Sequence, residues 1–576
     1  MSAAGNDTPV LLHTLRELTT LASIRGDQAE AALLSQACEL VTTRAIASDA
    51  DLLPLLESDV LADGPLRTRL RQLYEAGAWV LRESAIADLP ADLRWLFESG
   101  AVTIDQIAAL HAALDATALS DLVSAVRRES IRSIAGFDTQ IEAAIAAALP
   151  SIRSSVPRIP LGRAMTLSEP FLALARSHER VEWVETAGSL RRGLETVGDV
   201  EIVAAVLEPE SLIAALLQHV EISRCLHRGP RRLYVLVDGV QVGIRCPAPS
   251  VAGAMLLHMT GSHDHLAQLH ARAVRRGFTL QPEGLFGPDD AIASAAEEDI
   301  YAALGLPWIP AEIRNGEDEL RAAETGTLPT LVSWKDIRGD LHLHTDYSDG
   351  RDSVDAMVQA AVTLGYEYVA ITDHSPHSAA SRNLSLEAVS RQRDEIARLR
   401  EQYATIAILH GCEVDILPDG RLDFPDRVLE QFDVVLASLH ERANHNPEQL
   451  LQRYLGAMRH PLVNAITHPT NRLVPHRPGY DLNYDRLFAA AVETGTVVEI
   501  DGSPVHMDLD GALARRATMA GAMVTINSDS HRSDALERQM ALGLKIARRG
   551  WVEARQVLNA RPLAEVRVLI AGKRGR

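Results

Sequence analysis

The sequence predicts a multidomain chain: an N-terminal all-α domain, a central α+β domain and a C-terminal α/β domain closed into a distorted barrel. Three observations predict it. Residues 1–150 carry apolar side chains at helical spacing. Residues 155–315 mix β-rich runs with helical ones, as an α+β domain does. From 336 to 576, short apolar runs alternate with helical stretches, the pattern of parallel βα units.

In the first part the helical pattern is carried by LLHTLRELTTLASI, PLRTRLRQLYEAGAWVL and TIDQIAALHAAL. Pro150, Pro157 and Pro160 then predict a boundary. The central strands are expected in RVEWVETAG, VEIVAAVL, RLYVLVDG and VQVGIRC, with helices in SVAGAMLLHM and HDHLAQLHARAVRRG. Residues 316–335 are acidic, then contain Pro and Ser, and read as a linker. Beyond it, YVAIT, DVVLAS, NAIT, TVVEI and MVTIN read as strands of about seven βα units.

Composition narrows the function classes. The chain of 576 residues is too long for one core. At 47% hydrophobic and 23% charged it reads as a globular, cytoplasmic protein with no membrane partner. Its four cysteines, Cys38, Cys225, Cys246 and Cys412, form no CxxC pair, which fits a reducing compartment. Net charge is −20, and residues 1–150 hold 21 Asp and Glu against 11 Arg and no Lys. The first lysine is Lys335, followed only by Lys545 and Lys573. A dedicated nucleic-acid binder carries a basic face instead.

The chemistry lies in the last part. His342, His344, Asp349, His374, Glu413, His440, His468, Asp529 and His531 form an ordered series of metal-ligand residue types. Most end a short apolar run: DLHLH, YVAITDH, ILHGCE, VVLASLH, NAITH and VTINSDSH. Parallel barrels place catalytic groups there, at the C-terminal ends of strands. In HxH and DSH, the period-two alternation of a strand puts both ligands on one side. Imidazole and carboxylate suit Zn, Mn or Fe, and clustered divalent metals suit attack on phosphate esters. His377, His445, His460, His476 and His506 read as ordinary histidines or as supports behind the ligands. Arg382, Arg472 and Arg477 lie near these motifs, and arginine is suited to phosphate.

DLHLHTDYSDG, AITDHS, GCEVDIL, LASLH, THPT and NSDSH resemble the polymerase-and-histidinol-phosphatase (PHP) domain family. The resemblance implies a distorted (β/α)7 barrel with two to three divalent metals. It assigns His342, His344, Glu413 and Asp529 to a first metal, and His440 and His468, with Glu413 bridging, to a second. Asp349, His374 and His531 would hold a third. Glu413, His440 and Asp529 would then be the catalytic core.

GSLRRGLETVGDVEIV (188–203) resembles the nucleotidyltransferase signature of family X DNA polymerases, implying a palm and thumb in the central domain. Gly188, Ser189, Arg191, Arg192, Gly193, Glu195, Gly198 and Asp199 match, and 256–286 follows the family's sugar- and base-contacting region. Gly188, Ser189, Arg192, Asp199 and Glu201 would form a nucleotide site. The pattern departs at the metal ligands. Glu201 stands where the family has a second Asp, and Gly243 where it has a third. Any Mg²⁺ at Asp199 and Glu201 would be weak, because that ion demands near-ideal octahedral geometry. Leu266 and His270 replace an Asn and an Arg of the family pattern. The N-terminal domain resembles a degenerate helix-hairpin-helix module, with VLADGPLRTRL keeping one glycine. Without a lysine before Lys335 it offers no Schiff-base nucleophile.

Together these imply a PHP-type phosphoesterase, acting as 3′–5′ exonuclease or 3′-phosphatase on DNA 3′ ends, joined to an impaired family X polymerase. Two other readings stay open: a working repair polymerase with PHP proofreading, and a phosphatase for a small phosphate ester whose front half binds a nucleotide without turning it over.

Overall fold

The computed structural model describes residues 7–574, apart from 47, 59, 60, 115, 117, 118, 156, 157, 289, 290 and 379–381. The chain forms two compact units. One comprises residues 1–158, 167–187 and 198–259; the other comprises 159–166, 188–197 and 260–576. The polymerase-like segment 155–315 is thus shared between them.

The first unit begins as a helical array. In Asp7–Ile24, residues Leu11, Leu15, Leu18 and Ala22 recur at helical spacing and are buried against Leu34, Ala37 and Val41 of Gln28–Thr43. Asp27 caps the second helix by accepting from the Glu30 amide. Gly64, the glycine kept in VLADGPL, opens the helix Pro65–Ala76. Pro150 does not end the array, because the helix Thr139–Ser155 runs through it. Pro157 lies outside the described residues.

A five-stranded mixed sheet completes this unit, in the order Val181–Thr186, Val200–Val206, Val240–Arg245, Arg232–Val237, Arg224–Gly229. Val200–Val206 runs parallel to Val240–Arg245; the other pairings are antiparallel. Val200–Val206 is buried along its whole length. Asp238 and Gly239, both at positive φ, turn the hairpin between Arg232–Val237 and Val240–Arg245. The strand Arg224–Gly229 (RCLHRG) was not among the expected strands. It is an edge strand, where charged side chains are tolerated and blur the apolar pattern.

The second unit is dominated by a barrel sheet. Gly339–Asp340, Tyr368–Ile371, Ala407–Asp415, Val434–Ser438, Ala465–Ile466, Val497–Asp501 and Val524–Asn527 pair in chain order, all parallel. A bridge between Leu343 and Ser530 draws the first and last strands together. Helices lie between the strands, with side-chain caps at Ser353, Ser385, Asn446, Asn483 and Asp510. Parallel strands covered on both faces read as unbroken apolar runs, which is why YVAI and VVLAS stood out in the sequence.

Residues 316–335 are not an open linker. They contain the helix Glu319–Thr325, whose Glu319, Leu320, Ala322 and Ala323 are buried. Glu319 accepts from the Gly316 amide and from the His265 ring. Among the described residues no helix is long and apolar enough to cross a membrane.

Candidate metal centre

The series from His342 to His531 converges at one end of the barrel. Glu413 lies within the strand Ala407–Asp415, while His374, His440, His468 and Asp529 follow the ends of theirs. The strand carrying HxH is shorter than expected: it stops at Asp340, and beyond it Leu343 forms an isolated bridge to Ser530. The two imidazoles still face one another, with His342 Nε2 3.1 Å from His344 Nε2.

Glu413 is the hub, fully buried. Its Oε2 lies 3.4 Å from His342 Nε2 and 3.6 Å from His344 Nε2, and Asp529 Oδ1 is 3.1 Å from His344 Nε2 and 3.6 Å from His342 Nε2. An ion about 2.0–2.1 Å from four tetrahedral N or O ligands holds them about 3.3 Å apart. His342 and His344 have that spacing to one another, to Glu413 and to Asp529. On the other side, Glu413 Oε1 is 2.9 Å from His468 Nε2 and 3.7 Å from His440 Nε2. Asp349 Oδ1 stands 3.2 Å from His531 Nε2 and 3.5 Å from His374 Nε2.

Three overlapping groups result, each with ligand atoms within 4.8 Å of one another: His342, His344 and Asp529; His374, Glu413 and His440; and His344, Asp349, His374 and His531. The grouping differs from the expected assignment: His344 and His374 each belong to two groups, Glu413 falls with His374 and His440 rather than with His342, His344 and Asp529, and His468 is in none of the three. His374 turns Nδ1 to Glu413 Oε2 at 2.9 Å and Nε2 to Asp349, so its ring lies between two clusters.

The donor set fits divalent metals. Glu413 Oε2 and His374 Nδ1 are buried and close, yet misaligned for a hydrogen bond, and neither has another partner. His344 Nδ1 and His468 Nδ1 are likewise buried without one. Burial pushes the Glu413 carboxyl up, but the charges of His342, His374 and His440 outweigh it and hold it well below the ordinary range. Burial also opposes ionisation of Asp529, and His342, His344 and His531 overcome it. His344 is pushed down to about 4 by burial and by neighbouring His374 and His531. Burial lowers His531 too, but Asp349 and Asp529 raise it to about 9. Such mutual dependence of buried acids and imidazoles is what a cation would relieve.

Two acids outside the series stand behind it. Asp415 Oδ1 accepts from His440 Nδ1 at 3.0 Å, and Glu499 Oε1 accepts from His342 Nδ1 at 2.7 Å. Sequence reading passed over both. Their signal was present: Asp415 follows Glu413 by two residues on one strand, and Glu499 ends the apolar run TVVE. His506 stacks on His468 with ring centroids 5.0 Å apart, and His377 bonds Glu441. Arg472 is committed to the carbonyls of His506 and Met507, and Arg477 to Asn471. Arg382 is exposed and donates to the Gly350 carbonyl at 3.3 Å.

The polymerase-like residues are arranged otherwise. Within the first unit, Glu201 pairs in register with Gly243 and is buried. A Cβ at Gly243 would meet its oxygens at 2.7 and 2.8 Å and Tyr234 at 2.6 Å. Burial pushes the Glu201 carboxyl up to about 8, although Arg245 draws it down. Glu201, expected with Asp199 to hold a weak Mg²⁺, thus lies buried beside Gly243 and Tyr234 in a form that favours its proton. Within the second unit, Gly188 and Ser189 open the short helix Gly188–Arg191. Arg191 binds Glu297 through two hydrogen bonds of 2.8 and 2.9 Å, and Arg192 donates to the Thr260 carbonyl. Leu266 is buried on the helix His263–Arg275.

Comparison with known proteins matches residues 255–315 to the DNA polymerase beta thumb family and 340–499 to the PHP domain family. A probable phosphatase of Syntrophotalea carbinolica is 29% identical over 203 residues, 33% of this chain and 79% of that protein. A solved histidinol phosphate phosphatase from Lactococcus lactis, 17% identical, matches 38% of this chain and 94% of its own with a TM-score of 0.30. The DNA polymerase/3′-5′ exonuclease PolX of Bacillus subtilis is 31% identical over 506 residues, covering 87% of this chain and 88% of that protein. By that similarity, which spans both polymerase-like and PHP-like parts, the chain belongs to the PolX family.

Proposed function

We propose that the barrel end around Glu413 removes nucleotides or phosphate from DNA 3′ ends, as a 3′–5′ exonuclease or 3′-phosphatase, while the polymerase half synthesises little or no DNA. The chain is a metal-dependent phosphoric ester hydrolase. The observation that carries the finer reading is the convergence of the three ligand groups on one barrel end in a chain similar to PolX along most of its length. His342, His344, Glu413 and Asp529 would hold one divalent metal. His374, His440 and His468, with Asp349 and His531, would hold one or two more around the same carboxylate. Zn, Mn and Fe all suit this set. Bound there, such metals lower the pKa of water and neutralise charge on phosphoryl oxygens. Glu413 presents its two oxygens to different imidazoles and so sets the spacing of the groups. Asp415 holds Nδ1 of His440 and leaves Nε2 turned toward Glu413, in a ring that stands partly exposed.

The loss of synthesis follows from Glu201 and Gly243. A third carboxylate is missing, and the second favours its proton. The net charge of −20 supports weak, end-directed contact with DNA rather than tight binding along it.

One gel tests both halves. An end-labelled primer on a longer template is incubated with Mn²⁺ and all four dNTPs. The expected result is shortening that falls at least about 100-fold in His342→Ala, equivalent to about 2.7 kcal/mol of transition-state stabilisation. Lengthening of the primer would sink the claim of an impaired polymerase. The similarity of the barrel alone to the probable phosphatase keeps a second reading, a small phosphate ester substrate. Faster turnover of p-nitrophenyl phosphate than of the primer would favour it.

A further inference from the structure

We infer that Glu499 is a positioning residue of the metal centre, fixing the ring of His342 and the backbone of His468 on two sides of Glu413; the inference rests on the metal-centre reading above. Glu499 lies in the strand Val497–Asp501, fully buried beneath the ligand cluster. Both its oxygens are used. Oε1 accepts from His342 Nδ1 at 2.7 Å and from Asn527 Nδ2 at 2.8 Å. Oε2 accepts from the His468 amide at 2.9 Å.

The first bond decides a tautomer. A carboxylate can only accept, so Nδ1 of His342 carries a hydrogen and Nε2, 3.1 Å from His344 Nε2, is the ring atom left for a metal. Were the tautomer reversed, Nε2–H would point into the space shared with His344, Glu413 and Asp529, and the ring could not serve as a ligand. The second bond holds a strained backbone. His468 has φ +24°, a conformation that residues other than glycine rarely adopt, and its N–H is anchored by Glu499. The anchored residue places Nε2 2.9 Å from Glu413 Oε1. One buried carboxylate thus sets the direction of a ligand beside each oxygen of Glu413. Asn527 completes the arrangement. It donates to Glu499 while its own Oδ1 accepts from the Leu341 amide and from Thr525.

Glutamine at this position would have the same shape but one acceptor oxygen for three N–H donors. Its NH₂ would face a donor, so either His342 or His468 would lose its support.

The test uses the full chain, with Mn²⁺ and separately Zn²⁺ in competition with a chromophoric chelator. The expected result is a 10- to 100-fold loss of affinity at the tightest site in Glu499→Gln. A merely structural role predicts something else: melting temperatures of metal-free and metal-loaded chains fall together and the affinity of the folded chain stays at the wild-type value. That result would overturn the inference. If Glu499→Gln does not fold, the ring nitrogens of ¹⁵N-histidine-labelled wild-type chain loaded with Zn²⁺ decide instead. Protonated Nδ1 on His342 supports the inference, and protonated Nε2 overturns it. A wild-type chain that binds neither metal would remove the proposed function and this inference with it, whereas unchanged affinity in the variant would remove only the inference.

Discussion

Glu201 and Gly243 show how one side chain takes up the space that a neighbouring glycine leaves. With no side chain at 243, the Glu201 carboxylate occupies the space beside Tyr234, near Arg245, whose guanidinium binds Asp121 at 2.8 and 3.0 Å. Burial makes the ionised form of Glu201 costly. Its value in the folded chain, about 8, lies above the ordinary 4.5. The folded state therefore holds a proton that the unfolded chain releases. Below pH 4.5 there is no penalty; it grows as pH rises to about 8 and is constant beyond. Glu201→Gln removes the ionisation, so it should stabilise the fold by about 1–3 kcal/mol at pH 8 and by much less at pH 5. Thermal melts at the two pH values check this, and equal effects at both would refute it. Gly243→Asp alone should destabilise by about 1–3 kcal/mol, through crowding against Tyr234 and Glu201, without enabling primer extension.

The segment that follows the helix His263–Arg275 carries its own buried polar lock, which helps explain why residues 316–335 pack as structure. Arg314 is fully buried. It donates to both oxygens of Glu297 at 2.6 and 2.9 Å and to the Ile309 carbonyl at 2.8 Å. Burial opposes ionisation of Glu297, but Arg314 and Arg191 hold its carboxyl well below the ordinary range. His265 bridges Glu319 and Tyr301 at 2.7 and 2.8 Å. Removing one partner of such a set leaves charge buried without compensation. Arg314→Met is expected to cost about 3–5 kcal/mol, read as a lowered denaturation midpoint. None of this was legible in the sequence, because ion pairs far apart in the chain leave no periodic trace. The barrel strands were legible for the opposite reason: they are short apolar runs, and most are followed by a residue of metal-ligand type. The edge strand Arg224–Gly229 and the supporting acids Asp415 and Glu499 escaped, the first through its charges and the others because a carboxylate's partner is known only once the strands are aligned.

At the scale of the whole molecule, the cluster of candidate ligands contributes to how stability depends on pH. In the metal-free chain His531 is raised to about 9, and His342, His374, His440 and His468 are also raised, each against burial and by neighbouring carboxylates. Raised imidazoles contribute stability that is fully present below about 6.5 and is lost as pH rises, for His531 through about 9. Asp349, Asp529 and Glu413 are depressed, so their contribution is present above the ordinary carboxylate range and is lost as pH falls below it. The metal-free chain should therefore melt progressively lower from about pH 6.5 up to pH 9. Metal binding requires the same imidazoles deprotonated, so loading releases protons and strengthens as pH rises. Melts in EDTA and in excess Zn²⁺ should diverge with pH: the gap is small near pH 5.5 and widest near pH 9. Parallel curves at all pH values would mean that the imidazoles of this cluster do not exchange protons for metal, and the assignment of these residues as ligands would fall.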